Sequence, residues 1–204
     1  EADFDEAFSR KLCERLGIDF VVIRKNVPQI AKENGLSEEE AGRLVRYDAF
    51  RQYCDISKKS KIAVAHHMDD QAETVLMNVF RGSSLRGASG ILPVRDNVIR
   101  PLLCVTRMQI EHFLKERSQD FVTDKTNFDT IYNRNIIRLN VIPELKKINP
   151  SFESAVLRMN ESVKKDNDFL YSLTETAMEN AKIGNDKYDC TLLAKEPDVI
   201  LSRI

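Results

Sequence analysis

The stretch Lys61 to Gly82, KIAVAHHMDDQAETVLMNVFRG, restricts what this chain can fold into more than any other. Ile62, Ala63, Val64 and Ala65 form an unbroken apolar run, which predicts a strand covered on both faces. Directly after it, His66, His67, Asp69 and Asp70 arrive within five residues. Ala72, Val75, Leu76, Val79 and Phe80 then recur at helical spacing, so a helix begins where the strand ends. A buried strand feeding a helix belongs to an α/β fold. In open parallel sheets ligands bind outside the carboxyl ends of the strands, where helix N-termini attract phosphate, and the polar cluster sits at such a place.

Helical spacing puts Asp70 and Glu73 three apart and Asp69 and Glu73 four apart, so the three carboxylates can share one edge of the first turn. Acids in a first turn also favour the helix macrodipole, and for Asp69 alone capping is an equal reading. Taken with His66 at the strand tip, the set reads as a site. Its spacing matches neither of the zinc patterns H-E-x-x-H and Cys-x-x-Cys. Mg²⁺ shared with a nucleotide's phosphates suits paired carboxylates better, so Asp70 and Glu73 are the candidate metal contacts.

At 204 residues the chain can hold one sizeable domain and a smaller piece. A hydrophobic content of 42% beside 31% charged residues is ordinary for a water-soluble globular chain. No apolar run approaches the ~20 residues of a membrane span, and no secretory pattern opens the sequence. Cys13, Cys54, Cys104 and Cys190 are scattered, which suggests small core residues in a reducing cytoplasm, with no membrane partner. The net charge is −1, but it is unevenly spread. Residues 81–147 carry 12 Lys/Arg against 7 Asp/Glu, a balance of +5, between two acidic ends. A basic middle is compatible with a phosphate-facing surface or with plain solvated charge.

Elsewhere the rhythm is again helix and strand. Residues 4–16 predict a helix ending at Gly17, and Ile18 to Val27 a strand. Pro28 opens a short helix to Gly35, and Ser37 with Glu40 forms a capping box for the next helix. Gly42 lies inside that helix and weakens it by about 1 kcal/mol. Gly82, Gly87 and Gly90 punctuate a segment rich in Ser and Arg, either a flexible connector or a loop whose backbone approaches a ligand, with Arg81 and Arg86 beside it. Val98 to Leu103 predicts a strand, and Thr106 the cap of a helix. In Asp124 to Arg138, Arg134 and Arg138 lie one turn apart on one helix face. They can grip phosphate bidentately or pair with Asp124 or Asp129 on the surface. Pro143 ends or kinks that helix. Pro150 starts a long apolar-striped helix, interrupted near Asp166, followed by a strand over Tyr188 to Leu193 and the start of another helix.

Three stretches carry a family resemblance: AHHMDDQAET, then LMNVFRGSSLRGASGI, then RPLL at Arg100 to Leu103. Together they resemble the N-terminal domain of bacterial tRNA(Ile)-lysidine synthetases, a family of N-type PP-loop ATPases. The helix with Glu40, Arg43, Arg46 and Tyr47 is similar to the family's E-x-A-A-R-x-x-R-Y helix. Asp124 to Arg138 is similar to its D-P-S-N…R-N-x-x-R segment, with Lys125 and Thr126 replacing Pro and Ser. The similarity runs from about Glu1 to Pro150.

The resemblance implies a parallel-sheet PP-loop ATPase domain, Rossmann-like and of the adenine nucleotide alpha hydrolase type, over residues 1–148. A mainly helical second domain over 149–204 would follow. It implies ATP and Mg²⁺, free L-lysine, and an isoleucine tRNA with a CAU anticodon, with a homodimer left open. The reaction would adenylate C2–O of the wobble cytidine and let the lysine ε-amine displace AMP. Asp70, Glu73 and His66 would be catalytic. Arg81, Gly82, Arg100, Asp124, Asn127, Arg134, Asn135 and Arg138 would contact ATP or tRNA. A sister enzyme transferring sulfur to cytidine shares H-H-x-D-D but usually carries Cys-x-x-Cys pairs, which this sequence lacks. A non-catalytic tRNA-binding paralogue is the other alternative. The family's S-G-G-x-D-S phosphate loop does not occur, because Glu1 aligns just after it. The chain is therefore expected to be an internal piece, truncated at both ends and inactive alone.

Overall fold

The computed structural model describes residues 2–54, 60–123 and 133–204. They fall into two compact units. One comprises Glu1–Ala65, Pro93–Pro101 and Met108–Asn127, the other His66–Leu92, Leu102–Arg107 and Phe128–Ile204.

In the first unit, helix α1 (Ala2–Leu16) carries acids in its first turn and Arg15 in its last, matching its dipole. Gly17 at φ 65° ends it in the left-handed conformation that glycine adopts freely. Helices α2 (Val27–Asn34) and α3 (Glu38–Tyr53) follow and pack together, burying Ala31 and Ala41. The expected capping box is present: the Glu40 backbone N–H donates to Ser37 Oγ, and the Ser37 N–H donates to Glu40 Oε2 at 3.0 Å.

The sheet is mixed. Strand β1 (Ile62–Ala63) runs parallel to β3 (Val98–Ile99), and β2 (Val94–Arg95) runs antiparallel to β3, in the order β1-β3-β2. This bears out the α/β class with a parallel pair, but four strand expectations need correction. Ile18 to Asn26 joins no ladder among the described residues, and Val21, Val22 and Ile23 are exposed. Their β-branched side chains favour a strand only where a neighbour supplies hydrogen bonds and a packing face. The Ile62–Ala65 run is not covered on both faces: Ile62 and Val64 are half-buried while Ala63 and Ala65 are exposed. Beyond Ile99, Pro101 cannot donate to a ladder, and the chain turns from there. Tyr188 to Leu193 is also not a strand, for a reason given below. Helix α6 (Arg107–Glu116) begins directly after Thr106, as expected.

The second unit holds α4 (Met68–Phe80), α5 (Leu85–Ala88), α7 (Asn133–Ile136), a π-helical turn (Ile137–Val141), α8 (Ile142–Ile148) and α9 (Phe152–Ala181). Ala72, Ile137 and Ile142 form its fully buried centre, with Leu76, Met77, Val141 and Phe152 packed against them. Pro143 neither ends nor breaks the helical path. It sits in the first turn of α8, directly after the π turn, where a missing N–H is tolerated. Helix α9 runs uninterrupted past Asp166, because Lys164 and Asp168 pair along its exposed side and the apolar stripe resumes. The glycine-punctuated segment is not a flexible connector. It folds into α5, and the Asn160 side chain on α9 donates to the Ala88 carbonyl. Gly90, at φ 64°, admits the buried Gln71 amide, which a Cβ there would meet at 2.8 Å.

At the C-terminal end, β4 (Lys182–Gly184) and β5 (Lys187–Tyr188) form a hairpin, followed by α10 (Cys190–Leu193) and α11 (Asp198–Leu201). The expected strand stops at Tyr188 because Asp189 accepts from the Thr191 N–H at 2.8 Å and starts α10. The cysteines are not core residues: Cys104 and Cys190 are exposed and Cys13 and Cys54 half-buried.

Gly42 tests the account of α3. A Cβ at this position would meet only Val27 Cγ1, at an ordinary 3.7 Å. Gly42→Ala is expected to stabilise the protein by about 0.5–1 kcal/mol through the lower entropy of its unfolded chain. Urea unfolding should show a higher midpoint at unchanged slope, and a lower midpoint would contradict the contacts drawn between α2 and α3.

Candidate functional site

The cluster of the second unit is built on the first turn of α4. The backbone there is fixed from outside the helix: the Met68 N–H donates to the Val105 carbonyl at 2.9 Å. The His67 N–H donates to Asp70 Oδ2 at 3.0 Å, so Asp70 closes the turn that begins at His67. Asp69 accepts from the Arg107 backbone N–H at 2.8 Å. The His67 ring lies between the two acids, Nδ1 at 3.3 Å from Asp69 Oδ2 and Nε2 at 3.5 Å from Asp70 Oδ2.

One turn further on, Glu73 is 1% exposed. Its Oε1 accepts from Arg138 Nε at 2.6 Å, and its Oε2 accepts from Arg134 Nε at 2.6 Å and Arg138 Nη2 at 3.0 Å. Arg138 thus holds Glu73 side-on through two donors, while Arg134 spans two carboxylates, its Nη2 donating to Asp70 Oδ1 at 3.0 Å. The arginines reach Glu73 from α7 and the π turn, four residues apart in sequence and on one face. Among the described residues, the acids they meet lie on α4. Asp124, Asn127 and Asp129 lie outside the described residues.

The remaining candidates divide by place. Asn135 is buried beside Arg134 on α7. His66 is half-buried just ahead of α4. Arg81 and Gly82 lie at the other end of α4, about 16 Å along the axis from Asp70 at 1.5 Å per residue. Arg100 is buried and belongs to the first unit, whereas the cluster belongs to the second. Reasoning from sequence named His66 and passed over His67, whose N-cap position three residues before Asp70 was the available signal. It also missed Gln71, whose Oε1 accepts from the Ile91 N–H at 2.6 Å and anchors the Gly90 turn.

Charge explains the local titration. Burial opposes a proton on His67, but Asp69, Asp70 and Glu73 outweigh it and raise its pKa above the ordinary histidine value. Burial likewise opposes ionisation of Asp69, yet His67 and the Arg107 N–H outweigh it and hold its pKa at about 2. The hydrogen bond to Glu73 raises the Arg138 pKa against the effect of burial. Three carboxylates against two guanidiniums leave one excess negative charge, which a protonated His67 cancels.

Asp70 and Glu73 do not fit the expected role of metal ligands. Both oxygens of each carboxylate already accept from N–H donors, and two guanidiniums stand where a cation would have to approach. Among the described residues, no group of three His, Cys, Asp or Glu side chains is arranged to hold a metal ion.

Comparison with known proteins gives this arrangement relatives. A family model described as the PP-loop domain matches residues 1–145. The tRNA(Ile)-lysidine synthase of Caldanaerobacter subterraneus subsp. tengcongensis is 47% identical over 148 residues, covering 72% of this chain and 32% of that protein. That of Clostridium acetobutylicum is 40% identical over 204 residues, covering 99% of this chain and 42% of that protein. The chain spans less than half the length of these curated relatives. Among solved structures, the U34-tRNA thiolase NcsA from Methanococcus maripaludis superposes with a TM-score of 0.53 at 15% identity, over 78% of this chain and 55% of that one. At that identity the likeness is one of fold.

Two measurements probe the cluster. Glu73→Gln turns an NH₂ group toward two guanidiniums and removes the buried charge they share, so it is expected to cost about 3 kcal/mol or more in urea unfolding. Glu144→Gln, which removes only an exposed pair with Lys147, should stay within about 0.5 kcal/mol. Stability should also vary with pH in two windows. His67, raised when folded, contributes fully below its unfolded value of about 6.5, and that contribution is lost as pH rises through the folded value. Asp69 contributes above its ordinary 3.8, and that contribution is lost as pH falls towards 2. Thermal unfolding from pH 2 to 9 should show both flanks, and His67→Gln should flatten the alkaline one.

Proposed function

The chain belongs to the PP-loop domain family, and from that premise we propose that its protein is a cytoplasmic tRNA(Ile)-lysidine synthase. In this reading it uses ATP to join free L-lysine to C2 of the wobble cytidine in an isoleucine tRNA with a CAU anticodon. The observation that carries the reading is the 40% identity to a lysidine synthase over an aligned span that covers 99% of the chain and so extends across the Glu73 cluster.

The chemistry asks for what the cluster holds. The C2 oxygen of cytidine is a poor leaving group until adenylated, so phosphate charge must be met by fixed cations. Arg134 and Arg138 supply two, already oriented by Asp70 and Glu73. Asn135 orients their helix turn, and His66 shapes the nucleotide pocket. Mg²⁺ supplied with ATP would neutralise phosphate charge, and Asp70 and Glu73, whose oxygens already accept from Arg134, Arg138 and the His67 N–H, would not be its ligands. Arg81 and Gly82, at the far end of α4, serve the tRNA backbone.

The test is incorporation of labelled lysine into a CAU-anticodon isoleucine tRNA transcript by the full-length protein. Lysine should enter only with ATP, with one AMP released for each lysine joined. Sulfur incorporation in place of lysine would make the protein a thiolase. Retained tRNA binding with neither product would make it a non-catalytic binder. Either result overturns the reading.

A further inference from the structure

We propose that His67 is a positioning residue: its imidazolium, set between Asp69 and Asp70, completes the charge of the Glu73 cluster and so leaves the outer N–H groups of Arg134 to an anion. This role rests on the proposed phosphate contacts of Arg134 and Arg138. The order in which the charges are linked supports it. Asp69 Oδ2 lies 3.3 Å from His67 Nδ1, and His67 Nε2 lies 3.5 Å from Asp70 Oδ2. Asp70 Oδ1 accepts from Arg134 Nη2 at 3.0 Å, and Glu73 accepts from Arg134 Nε and from Arg138 Nε, each at 2.6 Å. Acid and cation alternate through all six groups. The row is neutral only when the imidazole carries its second proton.

The ring has a carboxylate on either side. A neutral imidazole has one N–H, so whichever nitrogen lost its proton would turn a lone pair towards a carboxylate oxygen. The imidazolium turns positive charge towards both. No hydrogen bond is aligned on the buried Nδ1, so its contact with Asp69 is one of charge. The His67 side chain is 18% exposed and that of Asp70 15%, so water screens the pair only in part. Burial opposes the proton, yet the nearby acids outweigh it and raise the ring's pKa. Among the described residues, Asp69, Asp70 and Glu73 on α4 are the charged groups that act on the ring most strongly. Arg134 on α7 and Arg138 on the π turn meet those acids in turn.

Asp70 passes the effect on. Its Oδ2 faces His67 and accepts the His67 backbone N–H, while its Oδ1 holds Arg134. With His67 neutral, Asp69 and Asp70 stand as like charges across an uncharged ring, and the six groups are left with one excess negative charge. An anion that reaches Arg134, whose side chain is 30% exposed, then approaches a negative cluster in place of a neutral one. A coupling of this kind between two charged partners is expected to be worth about ten-fold in affinity. His67 thus acts through Asp70 and Arg134, and its proton sets the charge against which the anion is held.

The test is a calorimetric titration of inorganic pyrophosphate into the full-length protein, His67→Gln and His67→Lys, from about pH 5.5 to about pH 9. Each affinity is divided by that of the parent at the same pH, which cancels the probe's own titration. His67→Gln is expected to bind about ten-fold more weakly at the acid end and to match the parent once pH exceeds the folded value of His67. His67→Lys, cationic throughout, should match the parent at the acid end and bind up to about ten-fold more tightly at the alkaline end. A histidine with a merely structural role would change the ratio by the same factor at every pH. By reciprocity, bound pyrophosphate should raise the pKa of one histidine ring of the parent by about 1, followed by NMR on labelled rings. That titration decides the matter if the variants do not fold. A ratio that does not vary with pH, or histidine pKa values that pyrophosphate leaves in place, overturns the role of His67 alone. Arg134→Gln that binds pyrophosphate as the parent does would overturn the phosphate contact of Arg134 as well.

Discussion

A carboxylate shut away from water has to be met by charge, and Glu73 imposes that condition on everything around it. Isolated, an ionised carboxylate in so dry a position would carry a desolvation penalty of several kcal/mol. It is met instead by two guanidiniums from chain positions 61 and 65 residues away. The ion pairs therefore fix a tertiary contact, drawing α7 and the π turn onto α4. Replacing such a network by well-packed apolar side chains is often as stabilising, so its worth lies in geometry more than in net free energy. The geometry is specific because a guanidinium is planar and its donors are fixed in a fork.

The local irregularities follow from this contact. The helical path from Asn133 to Ile148 has to present Arg134 and Arg138 to one carboxylate, bury Ile137 and Ile142 beside Ala72, and pass Pro143. A uniform α-helix would leave the Pro143 ring against the carbonyl four residues earlier. The wider turn over Ile137–Val141, closed by the Ile142 N–H to the Ile137 carbonyl, relieves that clash just before the proline. It also keeps both arginines on the α4 side. The π turn is thus the joint between a packing demand and an electrostatic one.

What could be read from the sequence was local. The one-turn spacing of Asp70 and Glu73, the one-turn spacing of Arg134 and Arg138, the Ser37–Glu40 box and the glycine stop of α1 all rest on interactions within a few residues. That these two pairs answer each other could not be read, because nothing in either segment names a partner more than sixty residues away. The strand expectations failed for a related reason. Ile18 to Val27 has the composition of a strand, but a strand exists only through its ladder. Asp189 shows the reverse case, where one side chain's hydrogen bond to Thr191 overrides an apolar run and turns it into a helix. The β2–β3 hairpin was within reach, since Asp96–Asn97 between Val94 and Val98 is ordinary turn chemistry.

The ion pairs also decide which chemistry the cluster can perform. Both oxygens of Glu73 accept from guanidiniums, which stand where a metal ion would have to approach. The same bonds improve the arginines. A guanidinium on a free side chain loses rotamer entropy when it binds, whereas one already clamped by a carboxylate has lost it on folding. Arg134 meets its two acids through Nε–H and one N–H of Nη2, so those acids leave over the second N–H of Nη2 and both of Nη1. Their direction is set by the bonds on the other edges of the same planar group. Glu73 therefore acts through the arginines it holds, and its burial is what gives their orientation.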